Sequence, residues 1–297
     1  FVYNTNPLSV NPDGAMVRKG LARDDLFTVV HEQVMTPTAM YADLLLPATT
    51  FLENHDLYTA YGHFFLRVAK PAIEPVAEAW SNFDLFQKLA QKMGFTEPPF
   101  QQTCEQRIAD YLDGVQGLPD LCTVEELLSG KLVCSTNSRS DGRVLDGQKA
   151  KFQFVSSGLS AEPVIPCLTE PGEFGDKDLM SRFPLRLITP PHPDLLNSTF
   201  GERFPGWIGE LLVHPEDAKA YEIVDGEKVL LQNHPGRTVR IAKISNDTQK
   251  GLVVAEGIFW QTEEEQNGIN DLTSQKLTDM GGGATFHESR VSICSFG

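Results

Sequence analysis

The chain has 297 residues, 41% of them hydrophobic and 22% charged, with a formal net charge of -15. That length exceeds what one hydrophobic core usually supports, so two domains are expected. The acidic balance argues against nucleic acid or an anionic membrane as partner, and no run approaches the roughly 20 apolar residues of a membrane span.

In chain order, the first segment reads as α/β. "FVY" is a short strand leading into the polar "NTNPLSVNPDG". "LFTVV" (26–30) is a buried strand by its apolar run. "TPTAMYAD" opens a helix, with Thr36 as cap and Pro37 at the first helical position. "LLLPATTFLE" (44–53) is a further apolar strand, and this order predicts a doubly wound parallel sheet. "SNFDLFQKLAQKMGF" (81–95) is an amphipathic helix capped by Ser81, with Phe86, Leu89, Ala90 and Met93 on one stripe and Gly94 at its end. "QQTCEQRIADYLDG" and "TVEELLSG" read as helices, the second with a capping box from Thr123 to Glu126. Beyond Ser138 the text becomes a Gly-, Ser- and Pro-rich connector. From Phe183 it turns to β: "LRLIT", "ELLVH", "EKVLLQN", "TVRIAKIS", "LVVAEG" and "SRVSICS" are six short strands, interrupted by the helix "PEDAKAYEI". Six short strands in so little chain predict a closed barrel.

The chemistry-bearing signals are loops at strand ends. The five cysteines (Cys104, Cys122, Cys134, Cys167, Cys294) are widely spaced without a CxxC, which is neither a disulfide framework nor a zinc or iron–sulfur pattern. The histidines show no HxH or HxxxH, so no metal ligand and no catalytic residue is assigned. "GGGATF" lacks the Lys-Ser/Thr of a phosphate loop. "NTNP", "HEQVMTPT", "TPPHPDLLNS" and "NGINDLT" are rich in Asn, Thr, Ser and Pro. At the carboxyl ends of strands, small amides and hydroxyls suit a phosphate-bearing molecule with a heterocycle.

In order and wording, "NTNP", "VVHEQVMTPTAMYADLLLPATTFLENHD", "LITPPHPDLLNSTF", "VDGEKVLLQNHPGRTVRIAKIS", "GLVVAEGIFW" and "NGINDLT" resemble the molybdopterin oxidoreductases of the DMSO reductase-like family. The most specific part is "TPTAMYADLLLP", where members read T-x-T-A-x-x-A-D-x-x-L-P. The resemblance implies a Rossmann-like α/β segment followed by a double-psi β-barrel. It places the end of the Rossmann-like dinucleotide-binding domain at 1–95, a helical and irregular connector at 96–180, and the C-terminal dinucleotide-binding barrel at 181–297. It implies a bis-molybdopterin guanine dinucleotide carrying Mo or W, with any [4Fe-4S] cluster and the metal-binding residue upstream of this stretch. In that picture His192, Asn197 and Ser198, with Thr189, meet a pterin or its phosphates, and Asn270 approaches from a second loop. Asn4 and Asn6 lie near the guanosine half, with Glu32 and Thr36 at the end of the next strand. Members commonly carry Asp at position 32 and an acidic residue at position 37; this chain has Glu and Pro.

The implied activity is a two-electron redox or oxygen-atom transfer by an enzyme acting on a small-molecule redox substrate. Relatives use formate, sulfoxides, N-oxides, nitrate, polysulfide, arsenite or aromatic hydroxyls. An iron–sulfur electron-transfer subunit is the implied partner and the cytoplasm the expected compartment, a twin-arginine signal belonging to residues upstream. The chain is expected to be the C-terminal part of a longer protein. Two other readings stay open: a metal-free electron-transfer scaffold of the same fold, or an unrelated barrel-type binding module.

Overall fold

The computed structural model describes residues 1–59, 61–63, 65–115, 122–134, 172–260, 268–278 and 281–297. The chain divides into two compact units, Leu46–Phe154 and a unit formed by Phe1–Leu45 together with Val155–Gly297.

In the larger unit, β1 (Val2–Tyr3) leads into α1 (Pro7–Val10) and α2 (Gly14–Leu21). Then come β2 (Val29–Glu32) and β3 (Leu44–Pro47), giving a three-stranded sheet of order β1-β2-β3 with β1 parallel to β2. The strand expected at 26–30 begins later. Leu26 and Phe27 are exposed, β2 starts at Val29, and the first residue paired with β1 is Val30. The apolar run misled because it counts side chains without knowing which have a neighbour to bury against. The helix expected over "TPTAMYAD" shrinks to one 3₁₀ turn, Ala39–Tyr41. Its N-cap is Thr38 rather than the expected Thr36, although Thr36 Oγ1 accepts from the Ala39 amide at 3.2 Å. The strand expected through 53 stops at Pro47, where Pro and the following hydroxyl residues remove ladder donors and favour a turn.

The smaller unit holds β4 (Asp56–Tyr58), β5 (Phe65–Ala69), α3 (Asn82–Lys92), α4 (Cys104–Asp113), α5 (Val124–Leu128) and β6 (Val133–Cys134). Its strands form an antiparallel sheet of order β4-β5-β6. Leu66 and Val68 point from one face of β5 into a cluster with Ile108, Leu112, Leu127 and Val133. The expected caps are present. Ser81 Oγ accepts from the Asp84 amide at 3.0 Å and Thr123–Glu126 forms a capping box; Thr103–Gln106 forms a further one that was not expected. On the expected stripe of α3, only Ala90 is buried; Met93 is 67% exposed. Of the connector expected beyond Ser138, the part up to 171 lies outside the described residues.

The remaining elements belong to the larger unit: α6 (Lys177–Arg182), β7 (Leu185–Ile188), β8 (Glu210–Val213), α7 (Pro215–Ala220), β9 (Lys228–Gln232), β10 (Arg237–Ile244), β11 (Leu252–Val254) and β12 (Arg290–Ser295). All six expected strands form, and they close into one barrel of order β10-β8-β11-β7-β12-β9. The chain is mixed α/β with a six-stranded closed barrel. Two pairs are parallel, β8 with β10 and β7 with β11; the rest are antiparallel. Alternation fills the interior. Leu185 and Leu187, Leu211 and Val213, Val229 and Leu231, and Val291 and Ile293 are buried at every second position. A one-residue slip of any strand would send this set outward, so the pattern fixes register as well as closure.

Candidate functional site

The proline-rich stretch leaves β7 at Ile188 and runs over the barrel. Thr189, Pro190, Pro191, His192 and Asn197 line one wall of a cavity of about 370 Å³, facing Ile269, Asn270, Phe286 and His287. A second cavity of about 400 Å³ is lined by Asn4, Asn6, Glu32, Thr36, Asn197, Ser198, Phe200, Glu202 and Trp260, among others. Val10 and Asn197 line both, so the two are neighbours. The nine residues nominated from the sequence all lie on these walls, and Asn197 stands between them.

Several of the nine already have protein partners. Asn6 is buried: its Nδ2 donates to Ser9 Oγ at 3.1 Å and Ser198 Oγ at 3.3 Å, and its Oδ1 accepts from Thr38 Oγ1 at 2.6 Å. Asn270 Nδ2 donates to the Ser9 carbonyl at 2.8 Å, and Asn270 Oδ1 accepts from Thr273 Oγ1 at 3.3 Å. The first segment and two barrel loops are therefore joined by side-chain amides, which are satisfied where they are buried. Arg18 on α2 adds an ion pair at 3.2 Å to Asp271, beside Asn270. Burial pushes the Asp271 carboxyl above its usual range, and Arg18 opposes this.

The first cavity presents donors of fixed geometry. His192 Nδ1 accepts from the Asp194 amide at 3.1 Å, so the neutral ring carries its proton on Nε2. Its ring meets Phe259 edge-on at 5.2 Å between centroids. Gly257 holds φ at +77°, and a Cβ there would lie 2.7 Å from His192 Cβ. Glycine at 257 thus lets the barrel backbone approach the histidine.

The second cavity carries carboxylates. Glu32 ends β2, half-buried, with Oε1 accepting from the Gln33 amide at 2.8 Å. Burial raises its carboxyl above the ordinary value of 4.5; the Gln33 amide and His31 pull it back, and Glu202 across the cavity raises it further. A raised folded-state value means that stability is full below the unfolded value and is lost as pH rises through the folded one. Glu32→Gln should therefore raise the denaturation midpoint at about pH 8 and leave it unchanged at about pH 4, because the amide keeps the acceptor for Gln33 without the buried charge. Equal shifts at both pH values would show that the carboxylate's ionisation is not the cause.

Among the described residues, six non-glycine residues have positive φ (Asn4, Asp13, Ala77, Asn197, Phe200 and Glu222). Asn4, Asn197 and Phe200 all line the second cavity. Backbone strain of this kind gathers at ligand sites. Phe200, Glu202, Gly257 and Trp260 went unnominated in the sequence. Gly257 and Trp260 stood in the "GIFW" wording and Phe200 at the end of "LITPPHPDLLNSTF", neither of which names a role, and Glu202 carried no signal.

Two family models match the chain: "Molybdopterin oxidoreductase" over residues 1–92 and "Molydopterin dinucleotide binding domain" over residues 185–290. The chain belongs to the molybdopterin oxidoreductases, within the DMSO reductase-like group. It is 33% identical to the probable oxidoreductase YoaE of Bacillus subtilis, over 99% of this chain and 43% of that protein. It is 26% identical to the dimethyl sulfoxide/trimethylamine N-oxide reductase of Rhodobacter capsulatus, over 87% of this chain and 35% of that protein. Among solved structures, acetylene hydratase from Pelobacter acetylenicus superposes with a TM-score of 0.77 at 22% identity, covering 98% of this chain and 43% of that one. The chain thus spans less than half the length of these relatives. Residues 185–290 match a dinucleotide-binding domain, and the cofactor class is a molybdopterin.

Proposed function

We propose that the two adjoining cavities hold a molybdopterin guanine dinucleotide, with the pterin end beside His192 and Asn270 and the guanosine end beside Asn4 and Glu32. The observation that carries this is the shared wall at Asn197: one cavity offers neutral donors, the next offers carboxylates, and a single elongated ligand can bridge them. The donor set fits. Among the described residues neither cavity is lined by Lys or Arg, so these walls suit the neutral heterocycles better than the pyrophosphate between them. Glu32 and Glu202 are acceptors for the N–H edge of guanine, and the His192 Nε2–H is a donor to a pterin acceptor atom.

In the full-length protein the cofactor is a bis-molybdopterin guanine dinucleotide with Mo or W, and the metal ligand and any [4Fe-4S] cysteines come from the rest of the chain. The group would supply two-electron redox or oxygen-atom transfer on a small-molecule substrate. Electrons would pass through an iron–sulfur subunit. This chain's own residues orient the dinucleotide and shape the cavity walls, which is the protein's part in cofactor chemistry. We assign 1–95 to the end of a Rossmann-like domain, 96–180 to a connector and 181–297 to a barrel of double-psi type. The two parallel strand pairs in an otherwise antiparallel barrel support the last.

The test is acid release of pterin and metal analysis on the full-length protein. Stoichiometric pterin with Mo or W is expected. Asn197→Ala should lower pterin content several-fold, since a hydrogen bond to a neutral group contributes about 0.5–1.5 kcal/mol. Pterin-free full-length protein from cells making the cofactor would favour the scaffold reading instead.

A further inference from the structure

Phe200 occupies a position that neither burial nor backbone preference explains; the Arg203 guanidinium carbon lies 6.0 Å from its ring centroid, over one face. Its φ is +71°, a left-handed conformation that is a genuine outlier for a bulky residue. Its side chain is 47% exposed, so burial does not offset that cost. The local chain nevertheless holds it firmly. Thr199 N donates to the Leu196 carbonyl at 2.9 Å, and Arg203 N donates to the Phe200 carbonyl at 3.0 Å. The next residue, Gly201, is buried, and a methyl there would fall inside the Trp260 indole. Trp260 Nε1 donates to the Ser198 carbonyl at 2.7 Å, locking the indole to the same turn. Both rings line the cavity that Glu32 and Glu202 also line.

We propose that Phe200 and Trp260 form an aromatic platform on which the guanine base of the dinucleotide stacks, with Glu202 joining Glu32 as acceptor for its N–H edge. This rests on the dinucleotide reading above and adds residues and a binding mode to it. An exposed aromatic ring in a strained but tightly held backbone is what a stacking surface needs, because the ring is ordered before the ligand arrives. Two carboxylates in the same cavity select a base with several N–H donors over one that presents acceptors there.

The experiment titrates GMP calorimetrically into the full-length protein prepared without cofactor. Wild type should bind. Phe200→Gly removes the ring and relieves the left-handed backbone together, so it should weaken GMP binding roughly tenfold while the melting temperature stays level or rises. Phe200→Trp should retain binding. If Phe200→Gly binds GMP as wild type does, the platform is overturned while the dinucleotide reading stands. If Phe200→Gly lowers the melting temperature along with binding, or Phe200→Trp also loses GMP, the residue braces the loop and the platform is likewise overturned. Failure of wild type to bind GMP would overturn both readings.

Discussion

Replacing Arg290 with methionine is expected to lower the unfolding free energy of the barrel unit by roughly 3–5 kcal/mol, the cost of breaking a buried charged network by removing one partner. Arg290 sits on β12 and is 4% exposed. Its Nε donates to the Glu173 carbonyl at 3.1 Å, Nη1 to the Pro184 carbonyl at 3.2 Å and Nη2 to the Phe174 carbonyl at 3.1 Å. The Phe174 ring centroid lies 5.7 Å from the guanidinium carbon. Burial, then repulsion from Arg186, lowers the guanidinium's proton affinity, while Glu173 opposes them. Methionine matches much of the volume but donates nothing, so three carbonyls lose a donor and the Glu173 carboxylate loses its cation. Lysine should recover only part of the loss, because one ammonium cannot reproduce a planar fork aimed at three carbonyls. Denaturant unfolding followed by tryptophan fluorescence reads this out; a loss below about 1 kcal/mol would place the network among ordinary surface pairs.

Gly257→Ala should cost about 2–4 kcal/mol and also damage the site. The left-handed backbone costs roughly 1–2 kcal/mol for a residue with a Cβ. The new methyl meets His192 Cβ at 2.7 Å, Phe259 at 3.2 Å and Leu195 at 3.3 Å, an overpacking of the kind that costs about 1–3 kcal/mol. His192 is the softest of these neighbours, since it borders a cavity. It should swing away, and pterin content of the full-length protein should fall beyond what lost stability explains. Gly226→Ala is the control: it also carries positive φ, at +81°, but a Cβ there meets nothing within 4 Å, so only the backbone cost should appear. Equal pterin loss in both variants would make the effect one of general stability.

The barrel was legible because alternation is a local signal. Leu185 and Leu187, or Val229 and Leu231, announce a buried face within three residues of text. Helix caps such as Ser81 and Thr123 were legible for the same reason. The first sheet was less so. Phe27, Leu44 and Leu45 read as core but are exposed, because burial there depends on what packs against the strand rather than on the strand itself. At the site, polar loops could be marked, but division of labour could not. Nothing local distinguishes Asn6 and Asn270, whose amides join segments far apart in sequence, from Asn197, which stands on both cavity walls. Phe200 and Gly257 matter through a φ angle and a close approach, and single-residue chemistry reveals neither.

The amide joints have a consequence for how the protein is made. Asn6 waits for Ser198, Asn270 returns to Ser9, and the Asp13 amide donates to the Thr273 carbonyl at 3.0 Å. Contacts of such sequence separation cannot form while the ribosome is still translating the middle of the chain. The walls around Asn4 and Glu32 are synthesised before the barrel loops that complete them, by on the order of tens of seconds. A nascent chain therefore has half a cradle and no means of closing it. A ligand that needs both walls would therefore load only after the loops carrying Ser198 and Asn270 have emerged and docked on the first segment.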